Sequence, residues 1–371
     1  MKIALFTPGP SNTADSVRAA LNCDIGTRTP QMTELTENLR QQIAEVAGCS
    51  DDFSVVPLQG SGTFAVESML SSLLSVQIPS LILVNGPYGE RMAEICRIHT
   101  LPHYVLRSDP LQPINVAQVA DYLEHCPNIL ALVLVHLETG VGIINPLEEL
   151  LILSEQRRLR VFVDSMSAFG LLPIRFLSPS LYAVAASSNK VLHGVPGLGF
   201  VIARRKILTK PGHARTLSLD LKAQYQGFLH DGMWRFTPPV QVIAALSRAI
   251  DDYFLQGGQS ARLNSYRQRA NRVINGLAPL GIRPLVKGND SAPVIVTFVL
   301  PFDEQIFSSS SLSELLFSCH IAIYPSHIRD INSFRIGFIG ELTENDIDLL
   351  IAAVSDIVCK IRVQLKQHHD Q

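Results

Sequence analysis

Two short apolar runs constrain the fold of this 371-residue chain more than any other feature. Val161–Asp164 is strand-length and closes on a carboxylate. Leu181–Ala186 is also strand-length, and Lys190 follows it after Ser187, Ser188 and Asn189. Runs without polar alternation suit a parallel sheet covered on both faces. Ligands of such sheets bind outside the carboxyl ends of the strands. An acid and an amine are therefore expected together at the edge where a ligand belongs. The Gly/Pro-rich stretch His193–Gly199 that follows reads as a loop.

The rest of the chain extends the pattern. Short apolar runs alternate with amphipathic helical periods, as in α/β folds. Strands are expected over 53–57, 80–84, 129–136, 160–164, 181–186 and 199–203, and helices over 14–22, 32–47, 64–74 and 240–255. Gly257 and Gly258 then break the pattern. The expected architecture is a large, mostly parallel-sheet domain over residues 1–255 and a smaller C-terminal α+β domain over 256–371. The smaller one takes strands over 294–299 and 334–339 and helices near 260–280, 310–318 and 344–365. With 47% apolar residues the chain can bury cores of that size.

Bulk properties narrow the partners. A net charge of -2, with both signs interspersed, gives no electrostatic footprint for nucleic acid or anionic membrane. The longest apolar stretches, such as Ile129–Val135, fall well short of the roughly 20 residues a spanning helix needs. Met1–Pro10 lacks signal-peptide architecture, so the cytoplasm is the expected compartment. The six cysteines are scattered, with no pair at metal-ligand spacing, and no metal site is expected.

Asp164 and Lys190 suit pyridoxal 5′-phosphate, which takes a lysine in a Schiff base and an acid against its ring nitrogen. The carboxylate keeps that nitrogen protonated, and the lysine then serves as the base that moves a proton. The plainer alternative is a turn cap and a surface lysine. Gly60–Thr63 opens a helix, whose N-terminus offers free N–H groups and positive dipole to a phosphate, with hydroxyls from Ser61 and Thr63. The same segment also reads as a simple turn and cap. Tyr88, at the mouth of the 80–84 strand, could stack on a cofactor ring or belong to the core. Thr139 could bond a ring hydroxyl. His136 and Glu138 invite an acid/base reading, although a buried histidine satisfied by backbone is preferred for His136. Thr237 precedes two prolines, where it could reach a phosphate or simply enter a helix. Arg335, in apolar surroundings, calls for a bidentate anion, either a substrate carboxylate or a structural partner.

Taken together, these segments resemble the class V aminotransferases, which are fold-type I enzymes dependent on pyridoxal phosphate. The resemblance spans essentially the whole chain, through Thr7–Pro10, Gly60–Thr63, Asn85–Gly89, His136–Thr139, Val163–Ser167, Ser187–Lys190 and Phe334–Gly337. Within the family, Leu58–Gly62, Asn85–Met92, Ser218–Leu221, Trp234–Thr237 and Phe334–Glu341 are similar to the subfamily that moves the amino group of 2-aminoethylphosphonate to pyruvate. The resemblance implies that Lys190 is the Schiff-base lysine and Asp164 the partner of the ring nitrogen. It places Ser61, Gly62 and Thr63 on the cofactor phosphate, joined by Thr237 from the other subunit of a homodimer with shared sites. Tyr88 would stack on the ring, Thr139 contact its hydroxyl, and Arg335 hold the carboxylate of the amino or keto acid. Arg28 is a second candidate cation for the phosphonate.

Three segments depart from the subfamily. Asp24–Pro30 is similar to the matching stretch of alanine–glyoxylate and serine–pyruvate transaminases. Tyr324–His327 carries His327 in place of a lysine, and Leu137 stands where a small residue is usual. They imply an alternative, alanine or serine as donor with glyoxylate or pyruvate as acceptor, or a lyase acting on a related aminophosphonate. The intact pair of Asp164 and Lys190 argues against a non-catalytic binding module.

Overall fold

The structure is a computed structural model that describes residues 3–210, 212, 214–326 and 328–369. His327 lies outside the described residues. A seven-stranded sheet runs in the order Phe53–Gln59, Leu198–Arg204, Leu181–Ser187, Arg160–Asp164, Ala131–Val135, Ser80–Val84, His103–Arg107. Only Leu198–Arg204 is antiparallel to its neighbours, and the other six strands point one way.

The apolar runs have a direct structural cause. Successive side chains of a strand point to opposite faces. Val133, Phe162, Ala183 and Val201 enter one core, with Met69 and Leu70 of helix Gly62–Leu73 and Met92 of helix Pro87–Ile98. Leu134, Val163, Val184 and Ile202 enter the opposite core, with Leu39 and Ile43 of helix Pro30–Ala47 and Leu246 of helix Val240–Leu255. Both faces are covered, so no position alternates to polar.

Helix ends follow local chemistry. Helix Pro30–Ala47 starts two residues before the expected Met32. Thr29 caps it by accepting from the Met32 N–H at 3.3 Å, Pro30 occupies the first turn, and Gly48 closes it at φ 58°. The expected helix over 14–22 shrinks to Asp15–Ala19, whose N-cap Ala14 makes no side-chain bond. Several elements escaped the sequence reading, among them strand His103–Arg107, which is at the sheet edge and is only partly buried.

A second, four-stranded antiparallel sheet follows the order Arg283–Pro284, Ile295–Val299, Ser333–Gly337, Tyr324–Pro325. Helices Gly258–Leu277, Ser309–Ser318 and Glu344–His369 cover it, around Phe298, Phe334, Phe338, Leu312 and Val354. The N-terminal strand Ala4–Leu5 pairs in parallel with Ile321–Ala322 and sends Phe6 into the same core. From there Thr7–Pro10 crosses towards the large sheet.

Candidate active site

Six strands run parallel, so their carboxyl ends share one edge. The chain leaves that edge at Gly60, Asn85, His136, Ser165 and Ser188, and these exits carry most of the residues singled out above. They surround an open cavity of about 220 Å³ lined by Ser61, Gly62, Thr63, Tyr88, Thr139, Asp164 and Lys190. Arg91, Met166, Ser187 and Asn189 complete its wall.

Asp164 is buried at the end of its strand, where Oδ1 accepts from the Met166 N–H at 3.0 Å. Burial pushes its carboxyl up to about 6, against the pull of that bond and of Arg91 and Lys190. Lys190 is largely desolvated, which pushes its amine down to about 8; Asp164 opposes that shift, and Arg335 and Arg91 add to it. Lys190 Nζ donates to the Pro8 carbonyl at 2.7 Å. An acid and an amine thus share one desolvated pocket, each within the other's field.

The phosphate-like corner has its own logic. Ser61 is the N-cap of helix Gly62–Leu73 and makes no side-chain cap bond. A Cβ on Gly62 would overlap Met166 Sδ, so glycine keeps the backbone bare towards the cavity. Thr63 Oγ1 accepts from Arg91 Nη1 at 3.0 Å, and the Arg91 guanidinium lies 5.0 Å from the centre of the Tyr88 ring.

The remaining candidates divide. Arg335 sits on strand Ser333–Gly337 and donates weakly to the carbonyls of Thr139 (3.4 Å) and Pro325 (3.3 Å). Its buried Nε has no partner among the described residues. His136 is buried with its pKa pushed down to about 4, and Nδ1 lies 3.4 Å from Ser165 Oγ. Glu138 is fully buried and spends its oxygens on backbone N–H groups. Neither lines the cavity. Thr237 and Arg28 stand together in a separate cavity of about 330 Å³ with Trp234, Arg235 and Phe236. One chain by itself does not bring them to Lys190.

The profile of the aminotransferase class-V family matches residues 14–350. The chain belongs to this family. It is 34% identical over 97% of its length to the 2-aminoethylphosphonate–pyruvate transaminase of Pseudomonas putida, covering 98% of that protein. It is 35% identical to the enzyme of the same name from Pseudomonas aeruginosa, covering 97% of each. Among solved structures it resembles the alanine–glyoxylate aminotransferase of Nostoc sp., with a TM-score of 0.88 at 20% identity over 96% of each chain.

Class V membership implies pyridoxal 5′-phosphate as the cofactor of this aminotransferase, and the cavity fits it. The bare Gly62 backbone at a helix N-terminus suits a phosphate. Asp164 is a buried acid lacking a hydrogen-bonded cation among the described residues, and Lys190 is an amine with a depressed pKa.

The sequence reading missed several wall residues of this aminotransferase. Arg91 had a usable signal, since it follows Tyr88 by three residues and shares its helix face. Ser187 and Asn189 lie inside the segment already singled out. Pro8 lies inside the singled-out segment Thr7–Pro10, but its contact with Lys190 joins residues 182 apart and no spacing specifies it. Among the described residues, no helix is long and apolar enough to cross a membrane, and no group of three His, Cys, Asp or Glu could hold a metal.

Proposed function

We propose that this chain transfers the amino group of 2-aminoethylphosphonate to pyruvate, giving phosphonoacetaldehyde and L-alanine. The observation that carries the reading is near-full-length identity of 34–35% to transaminases of that name, in a chain whose Lys190 and Asp164 line one cavity.

When bound, pyridoxal phosphate supplies an electrophilic carbonyl carbon and an electron-withdrawing ring. Lys190 Nζ would hold that carbon, and the same amine is placed to move the proton of the donor carbon that bears the amino group. Burial pushes its amine down to about 8, which leaves a fraction neutral near pH 7 before the cofactor binds. Asp164 holds a proton at the ring nitrogen, and that cation offsets the burial which raises its own pKa. Ser61, Gly62 and Thr63 bind the phosphate, Tyr88 stacks on the ring and Thr139 meets its hydroxyl. Arg335 takes the carboxylate of pyruvate and alanine, and the phosphonate of the donor.

Arg28 and Thr237 serve the site of a second copy in a homodimer, Thr237 on the phosphate and Arg28 as a further cation for the phosphonate. The chain up to residue 255 serves as the cofactor-binding domain, except that strand Ala4–Leu5 and Phe6 pack with the smaller domain, which begins at 256, in a cytoplasmic enzyme. The Arg28 segment also favours a second reading, in which alanine or serine is the donor.

The test mixes the purified holoenzyme with 2-aminoethylphosphonate and no keto acid. Loss of the cofactor's visible band, restored by pyruvate, supports the proposal. Loss with alanine or serine but not with the phosphonate selects the second reading. Release of ammonia without any acceptor reveals a lyase and refutes both.

A further inference from the structure

We propose that Glu138 is a positioning residue, a buried carboxylate that locks the first turn of the Tyr88 helix to the Thr139 turn and so sets the two side chains assigned to the cofactor ring; the inference rests on that assignment. Glu138 sits in the two-residue strand Leu137–Glu138, paired with Ile143–Ile144, and has no exposed surface. Oε2 accepts from the Tyr88 N–H at 3.2 Å, and Oε1 accepts from the Gly140 N–H at 3.1 Å. The two donors belong to different segments: Tyr88 lies in the first turn of helix Pro87–Ile98, after strand Ser80–Val84, and Gly140 lies in the turn between strands Leu137–Glu138 and Ile143–Ile144. A single carboxylate therefore fixes the backbone of Tyr88 and the residue after Thr139.

The surroundings are built to this carboxylate. A Cβ on Gly86 would overlap Glu138 Cγ and Cδ. Gly86 has φ 176°, an extended conformation that any residue adopts, so its backbone imposes no glycine. The glutamate does. Pro87 closes the other side, where a Cβ on Gly140 would come within 2.9 Å of its Cδ. Burial raises the Glu138 carboxyl, Asp164 raises it further, and the backbone donors hold it down. Arg335 feels its charge as well. Desolvating an acid beside another acid is costly. Here the acid does not line the cavity, so its contribution lies in where it holds the helix start at Tyr88 and the turn at Gly140.

Two independent lesions test this on the holoenzyme. Glu138→Gln turns an N–H towards a backbone N–H and removes the charge, whereas Gly86→Ala displaces the carboxylate and keeps the charge. Misplacing reacting groups by an ångström costs up to about a hundredfold in rate. Both variants should therefore lose about tenfold or more in kcat, with a smaller change in KM, using whichever donor the wild type accepts. In Glu138→Gln the pH midpoint of the cofactor's visible band should fall, since a negative charge that favours protonated neighbours is gone. In Gly86→Ala that midpoint should stay. In a Glu138→Ala background, where the added methyl has room, Gly86→Ala should cost nothing further. Equal cost of Gly86→Ala in both backgrounds would overturn the proposal, as would a folded Glu138→Gln enzyme with unchanged kcat and band midpoint. If the Glu138 variants do not fold, an unchanged kcat in Gly86→Ala alone refutes it, and a loss of kcat supports it. If the wild type accepts no donor, the functional reading fails by itself, and the band midpoints still decide the role of Glu138.

Discussion

At the scale of single residues, burial sets the chemistry of Lys190. A neutral amine attacks a carbonyl and an ammonium does not. With its pKa pushed down to about 8 from the ordinary 10.5, about a tenth of Lys190 is neutral at pH 7. Raising the pH removes the proton, so uptake of pyridoxal phosphate by the cofactor-free chain should quicken nearly tenfold from pH 6 to 7, about fivefold from 7 to 8, and then level. Stopped-flow absorbance follows this directly. A rate that climbs without a break beyond pH 9 would mean an unperturbed lysine. Asp164 was legible in sequence because it ends an apolar run, and Lys190 because it closely follows one, and the depth of such runs in a parallel sheet is predictable. Glu138 was legible only as an acid. Its bond to the Tyr88 N–H joins residues 50 apart, which no spacing along the chain specifies.

At the scale of elements, the apolar runs gave the central strands nearly residue for residue. Alternate side chains enter two cores, and the run shows both at once. Edge strand His103–Arg107 was not legible because its burial is mixed. The N-terminal strand shows what an element can hold at a distance. The Gly337 N–H donates to the Phe6 carbonyl at 2.9 Å, and a Cβ on Gly337 would overlap the Thr7 carbonyl. Backbone lies on both sides, so neither partner yields readily. Gly337→Ala should cost about 2–3 kcal/mol of stability, read as a lower denaturation midpoint. It should also weaken cofactor binding, because Pro8, next to Thr7, holds Lys190 Nζ. A variant with an unchanged midpoint and unchanged cofactor affinity would show that the segment shifts freely.

At the scale of the whole molecule, the candidate residues fall into two cavities. One holds Lys190 and Asp164, and the other holds Arg28 and Thr237. If a homodimer joins them, inactive subunits should complement one another. Co-expressed Lys190→Ala and Thr237→Ala chains would form hybrids with one doubly damaged site and one intact site. Random pairing makes about half the dimers hybrids, so about a quarter of the wild-type activity should return. If Thr237 acted within its own chain, every hybrid site would carry a lesion and the mixture would stay inactive.

Sequence by itself determined which chemistry reaches the sheet edge, because residue type and strand periodicity are local properties written along the chain. Tertiary structure alone decided how those groups are tuned and held. The pKa values of Lys190 and Asp164 come from burial, which exists only once both faces of the sheet are covered. The Pro8 contact and the Glu138 bridge join segments whose approach depends on how strands order across the sheet. That order is fixed by packing through space, to which separation along the chain is blind.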